Sequence, residues 1–172
     1  MVRYVKQRTN ATCGPVGVIN AFKWLGYPVS ANNDLKKLVE VCGTNCDGTR
    51  GPGIQNGLDF LEQAYEAEVG HFTFRRSFNI KSIESNLKKG NAILLIWMGH
   101  VWFLSNMSQS GKSIYVVNAP SKRLTVKRLS LKWFRRFWKT FHGRSWGWIV
   151  SKKPFSEWLQ LELIAQSVRY TK

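Results

Sequence analysis

Acidic residues are missing from a long part of this 172-residue sequence, because residues 85–156 contain no Asp or Glu. The same stretch holds 14 Lys and Arg residues, so it carries +14 of the formal net charge of +16. A segment with charge of one sign produces a strong positive field on the face that it forms. The basic 85–156 segment therefore predicts a nucleic acid or another polyanion as a partner, with an ordinary solvated face as the alternative.

Cysteine and long apolar runs are also scarce. Three cysteines are too few, and odd in number, for a disulfide framework. No apolar run approaches the roughly 18 residues that a membrane-spanning helix needs, and the N-terminus lacks the apolar core of a signal peptide. We therefore expect one soluble domain over residues 1–172, without a membrane partner, in the cytoplasm or in a phage or virion setting.

The hydrophobic content, 44% of the residues, excludes a disordered chain and allows a substantial core. The apolar spacing indicates an α+β fold in which helices come first and an antiparallel sheet follows. A Gly/Pro-rich turn is expected at 47–53. The predicted helices are 13–25, 33–42, 54–66, 79–88, 130–141 and 155–168. The predicted strands are 68–74, 92–97, 100–106, 113–118, 123–129 and 146–150.

A cysteine stands at the start of the first predicted helix, in the segment QRTNATCGP over residues 7–15. Asn10 or Thr12 could cap this helix, and Pro15 suits its first turn. Cys13 would then lie at the helix N-terminus, where the helix dipole and the unpaired N–H groups favour a thiolate. Because a thiolate is nucleophilic, Cys13 is a candidate catalytic nucleophile, and a buried structural cysteine is the alternative.

A nucleophilic cysteine needs a histidine to take its proton and a third group to orient that histidine. His100 begins a predicted strand, and Asn118 ends the strand that we expect to pair with it in a hairpin. The symmetry of that hairpin would set the two residues nearly opposite each other. The side-chain amide of Gln7, six residues before Cys13, could donate to the oxyanion of an acyl-transfer reaction together with the Cys13 backbone N–H.

The order Gln7, Cys13, His100 and Asn118 along the chain resembles that of the papain-like cysteine peptidases. The nearest group is the C39 type, which processes bacteriocin precursors. The segment GTNCDGTRGPGI over residues 43–54 resembles the turn that such domains carry before their next helix. The resemblance covers roughly residues 1–150. It implies a papain-like fold and a peptide or protein substrate. It also implies that Cys13 is the nucleophile, His100 the general base and acid, Asn118 the orienting residue and Gln7 the oxyanion donor.

The sequence leaves other chemistry open. Where C39 domains usually carry Asp before the nucleophile and as the third triad member, this chain has Thr12 and Asn118. Transferases and amidases can use the same kind of triad. A basic protein that has a papain-like fold, binds polyanions and has no peptidase activity is the second hypothesis. No cofactor or metal is predicted, since Cys42 and Cys46 form only one pair.

Overall fold

A six-stranded antiparallel sheet forms the centre of the fold. The computed structural model describes residues 2–7, 9–67, 70–117, 126–140 and 145–153. The strands are β1 (Phe72–Phe78), β2 (Ala92–Trp97), β3 (His100–Met107), β4 (Ser113–Val117), β5 (Val126–Ser130) and β6 (Ser145–Val150). Their order across the sheet is β1-β6-β2-β3-β4-β5, and each of these neighbouring pairs is antiparallel. Strand β3 therefore lies inside the sheet, between β2 and β4.

Helices cover both faces of this sheet. They are α1 (Cys13–Leu25), α2 (Asn33–Val41), α3 (Gly51–Ala64), α4 (Ile80–Lys88) and α5 (Leu131–Thr140). One buried apolar cluster joins α1, α2 and α3 to one face, and a second joins α4 and α5 to the other. The α+β class with N-terminal helices on an antiparallel sheet is confirmed, although β1 precedes α4 and the sheet is enclosed from both sides. Within the described ranges, none of the helices has the length and apolarity needed to cross a membrane.

Helix α1 has the predicted boundaries and ends at Gly26, whose φ of 107° is one that glycine adopts readily. Its predicted cap is wrong. A 3₁₀ turn over Asn10–Thr12 leads directly into the helix, and the Thr12 side chain makes no capping hydrogen bond. The Thr12 hydroxyl instead donates to the Thr9 carbonyl oxygen at 3.2 Å. The side chain of the capping residue, Thr12, therefore does not bond to the first-turn N–H groups of α1.

Helix α3 begins three residues earlier than predicted, because two glycines that resemble turn residues serve close packing instead. A Cβ on Gly51 would lie 1.2 Å from the Trp146 ring, and a Cβ on Gly53 would lie 2.0 Å from the Cys42 carbonyl oxygen. Pro52 fits the first turn of a helix, where no N–H is needed. The predicted turn over 47–53 is therefore correct only in its first half, where Asn45 pairs with Gly48.

The edge strands are the elements that the sequence located least well. Strand β1 spans Phe72–Phe78 rather than 68–74, and it carries an exposed polar stretch because it pairs only with β6. Strand β5, at the other edge, buries only Leu129 and has exposed Lys127 and Arg128. These two cations give β5 a positively charged exposed face, and burial does not alternate along the strand. The predicted helix over 155–168 lies outside the described residues.

The β3–β4 hairpin forms as predicted but in a different register. Phe103 lies opposite Val117, two residues further along β3 than the symmetric hairpin requires. The difference arises at the turn, where Met107 already pairs with Ile114, three residues from its symmetric partner, and a bulge at Ser105 then reduces the offset to two. The pairing argument that set His100 opposite Asn118 is therefore wrong, and Asn118 itself lies outside the described residues.

Candidate active site

Cys13 is the first residue of α1, as predicted, and only 5% of its surface is exposed. The residue after it cannot be larger than glycine without a rearrangement, because a Cβ on Gly14 would lie 2.6 Å from the Thr49 side chain. The start of α1 is thus held against the loop that precedes α3. This close packing fixes the position of the Cys13 thiol at the N-terminal end of the helix, where the helix dipole favours an anion.

The course of α1 over the sheet sets Cys13 and His100 at the same end of the fold. Gly17, one helical turn after Cys13 and on the same side of α1, packs directly on Val101. Further along, the Trp24 and Phe103 rings meet edge to face at 6.5 Å. Helix α1 therefore runs along β3 in the strand's own direction, so the helix starts over the end of the sheet where β3 starts with His100.

His100 follows a tight turn between β2 and β3. The two turn residues, Met98 and Gly99, have φ angles of 54° and 68°, and Trp97 pairs with His100 across the turn. Positive φ at both central positions is typical of a type I′ hairpin turn, which matches the twist of the strands. The His100 ring also meets the buried Trp102 ring edge to face at 5.9 Å. Trp102 therefore forms part of an aromatic wall beside this imidazole.

Gln7 uses its side-chain amide within its own loop. Its Nε2 donates to the Thr9 carbonyl oxygen at 2.6 Å and to the Asn10 carbonyl oxygen at 3.2 Å. The amide therefore holds the turn that leads into Cys13, and it would have to give up one of these bonds to donate to an oxyanion.

The sequence did not reveal that Trp146 belongs to this end of the fold. Trp146 lies opposite Ile96 in the sheet, and Ile96 lies opposite Val101, so the three side chains form one row beneath α1. The Trp146 ring covers Gly51 at the start of α3. Trp146 is only partly buried and forms an apolar wall two strands away from His100. The only signal in the sequence was its place at the start of a predicted strand.

The other cysteines and histidines have different surroundings. Cys42 is buried against Gly57, and burial raises the pKa of its thiol to about 12. Cys46 is exposed. The His71 ring is buried, with Nδ1 2.7 Å from the Ser151 carbonyl oxygen, so His71 has a packing role. His142 lies outside the described residues, and among the described ones no group of three potential metal ligands is found.

Comparisons with known proteins identify the fold. No protein-family model matches the chain, and a search of curated proteins finds no relative. Among solved structures, the peptidase domain of Streptococcus ComA, a bifunctional ABC transporter involved in quorum sensing, is similar. It aligns with a TM-score of 0.61 and 18% identity over 87% of this chain and 98% of that domain.

A second solved structure is a double-glycine-motif protease from an AMS/PCAT transporter, in complex with its leader peptide. It aligns with a TM-score of 0.55 and 16% identity over 88% of this chain and 93% of that one. At these identities the likeness concerns the fold. The chain has the papain-like fold of C39 peptidase domains, as its sequence resemblance predicted.

Proposed function

We propose that this protein is a cysteine peptidase in which Cys13 attacks the carbonyl carbon of a peptide bond. The observation that carries the proposal is the alignment of α1 with β3, because it sets the helix-terminal Cys13 and the strand-initial His100 at one end of a peptidase fold. A thiol at a helix N-terminus and an imidazole at the adjacent strand end are the two groups that thiol hydrolysis requires.

The proposed reaction proceeds in two steps. His100 takes the Cys13 proton, the thiolate forms a C–S bond with the substrate carbonyl carbon, and the breaking C–N bond releases an amine that takes the proton from His100. Water then gives its proton to His100 and displaces the acyl group from sulfur. The Cys13 backbone N–H and the Gln7 amide stabilise the oxyanion that forms in each step. The substrate is a peptide or a protein segment.

Asn118 is the residue that we propose to orient the His100 ring. Residues 85–156 contain no carboxylate, so an orienting group from this segment has to be neutral. Asn86 and Asn91 bond to each other in the α4–β2 corner, and Asn106 lies near the far end of β3. Asn118 is the remaining asparagine of the segment, and it follows the last residue of β4 directly.

The first experiment measures thiol reactivity residue by residue. The protein is treated with a small amount of iodoacetamide at pH 6, and the alkylated peptides are quantified by mass spectrometry. We expect Cys13 to react faster than the exposed Cys46, although Cys13 is buried, and we expect His100→Ala to remove this advantage. Faster labelling of Cys46 in the unmodified protein would contradict the pairing of Cys13 with His100.

The second experiment measures cleavage directly. A mixture of synthetic peptides that includes Gly-Gly sequences is incubated with the protein, and new termini are identified by mass spectrometry. Cleavage should fall by a factor on the order of 10⁴ in Cys13→Ala and in His100→Ala, the loss that an essential triad member causes. Cys46→Ala is the matched control and should cleave normally. Cleavage that survives Cys13→Ala would refute the proposal.

A further inference from the structure

A second surface, at the other end of β3, is a broad basic groove of about 1290 Å³. It lies between the C-terminal end of α4, the turn that joins β3 to β4, and one side of α5. Met107 lines this groove, while His100 begins the same strand. About seven residues of extended chain, or roughly 23 Å, therefore separate the groove from the end of the sheet near Cys13 and His100. The groove is therefore a separate site.

The lining of the groove is cationic. Among the described residues that line it, none is Asp or Glu, and six are Lys or Arg with exposed side chains. They are Lys88, Lys112, Lys132, Arg135, Arg136 and Lys139. The carboxylate of Glu84 below the groove accepts two hydrogen bonds from Arg135, at 2.6 Å from Nε and 2.5 Å from Nη2. Six cations against this one carboxylate leave an excess of about five positive charges.

The uncharged polar groups of the groove are those that commonly bind phosphate. Ser108, Ser110 and Ser130 provide hydroxyls, and Asn106 and Gln109 provide amides. Lys, Arg, Ser, Asn and Gln side chains are among the groups that contact the sugar–phosphate backbone of nucleic acids. An acidic protein partner would be expected to meet aromatic anchors at the centre of its interface, and the described lining includes no Phe, Tyr or Trp.

The same lack of aromatic residues distinguishes between kinds of nucleic acid. Binding of single strands depends on bases that stack on aromatic side chains, and the described lining has none. A duplex keeps its bases stacked inside and presents a continuous row of phosphates to a cationic groove. We propose that the groove between α4, the β3–β4 turn and α5 binds the phosphate backbone of double-stranded nucleic acid without reading its sequence.

The salt dependence of binding gives a quantitative test. Five phosphate contacts predict a slope of about −4.5 in log affinity against log salt, or about a 500-fold loss between 50 and 200 mM salt. A fluorescein-labelled 20-base-pair duplex of random sequence serves as the probe in an anisotropy titration. The triple variant Lys132→Gln, Arg136→Gln and Lys139→Gln should leave about two contacts, which reduces the loss over the same range to about 12-fold.

A charge-matched control separates the groove from the general charge of the protein. The variant Lys37→Gln, Arg75→Gln and Arg76→Gln also removes three exposed cations, so both variants carry 16 − 3 = +13, but none of these three residues lines the groove. We expect it to bind the duplex with the slope of the unmodified protein. Equal losses in the two triple variants would overturn the proposal.

Competing ligands test the chemistry of the occupant. A single strand of the same sequence and a poly-glutamate peptide of the same charge should both bind more weakly than the duplex. Tighter binding of either would overturn the assignment to duplex nucleic acid. Cys13→Ala should bind the duplex normally, because the proposal does not depend on the peptidase reaction. Both triple variants are compared by circular dichroism to show that they are folded.

Discussion

The contact between Gly17 and Val101 holds α1 on β3, and it can be tested by adding a single methyl group. In Gly17→Ala, the new Cβ would lie 2.8 Å from Val101 Cγ1 and 3.0 Å from Leu94 Cδ1, closer than non-bonded carbons approach. Alanine would stabilise the helix by about 1 kcal/mol relative to glycine. Overpacking a close-packed core costs about 1–3 kcal/mol. We therefore expect a net destabilisation of about 1 kcal/mol, or roughly 2–4 °C in Tm for a domain of this size.

A compensating variant makes the prediction sharper. Val101→Ala removes the methyl group that the Gly17→Ala side chain meets, at a cost of about 1.6 kcal/mol for the two lost carbons. In that background, Gly17→Ala no longer meets Val101 Cγ1, and the remaining contact is with Leu94 Cδ1, the far end of a flexible side chain that can rotate away. The helix propensity of alanine should then make the double variant more stable than Val101→Ala alone. The same substitution thus changes sign between the two backgrounds. Thermal unfolding followed by circular dichroism measures all four proteins.

The contact also links stability to the proposed activity. A methyl group inserted between α1 and β3 shifts the helix by a few tenths of an ångström, and Cys13 moves with the helix relative to His100. Since a 1 Å misplacement of reacting groups can cost about 100-fold in rate, we expect kcat/KM to fall by a factor on the order of five. If Gly17→Ala stabilises the protein in both backgrounds and leaves cleavage unchanged, α1 does not approach β3 as closely as described.

Three further predictions concern other contacts. Gly51→Ala, whose Cβ would overlap the Trp146 ring, should displace that ring, lower Tm and shift the tryptophan fluorescence to the red; an unchanged spectrum would contradict the contact. Cys42, with its pKa near 12, should resist alkylation at pH 8 in the folded protein and react in urea, and rapid labelling without urea would show that it is accessible. The hydrogen bonds from Arg135 lower the pKa of Glu84, so their stabilisation is present above the carboxyl's ordinary pKa and is lost as the pH falls through the lowered value. Glu84→Gln should therefore lower Tm more at pH 7 than at pH 3, and a difference that is the same at both pH values would refute this reasoning.

Local sequence signals predicted the elements that sit in the middle of the fold. Helix α1 has the expected ends, because its apolar spacing and Gly26 are both local features. Helix α4 begins as expected, where Asn79 Oδ1 accepts a hydrogen bond from Ser82 N at 2.8 Å. Strand β2 could be recognised from its continuous apolar run, which is typical of a strand buried on both faces.

Features that depend on distant partners could not be predicted in this way. In the sequence, Gly51 resembles a turn residue. Its packing role depends on Trp146, which lies 95 positions later and covers it in the fold. The register of β3 against β4 depends on where the turn between Met107 and Ile114 closes and on the bulge at Ser105, and the sequence carries no distinct signal for either. For the candidate site, Cys13 and His100 lie at the element starts where the sequence placed them, because each is set by the boundary of its own element. Trp146 was missed because its position depends on pairing between non-consecutive strands.

The acid-free segment bears on both proposed sites, in opposite ways. Near His100, the lack of carboxylates means that any orienting partner from this segment is uncharged. Around the groove, the same lack leaves cations that Glu84 alone cannot neutralise. Strand β3 connects the two sites rigidly but keeps them at opposite ends, so the chemistry of one should not depend on the charges of the other. Cleavage of a short uncharged peptide should therefore be unaffected by duplex DNA, whereas cleavage of a substrate that itself binds the duplex should accelerate. Inhibition of the short-peptide reaction by duplex would mean that the two surfaces overlap.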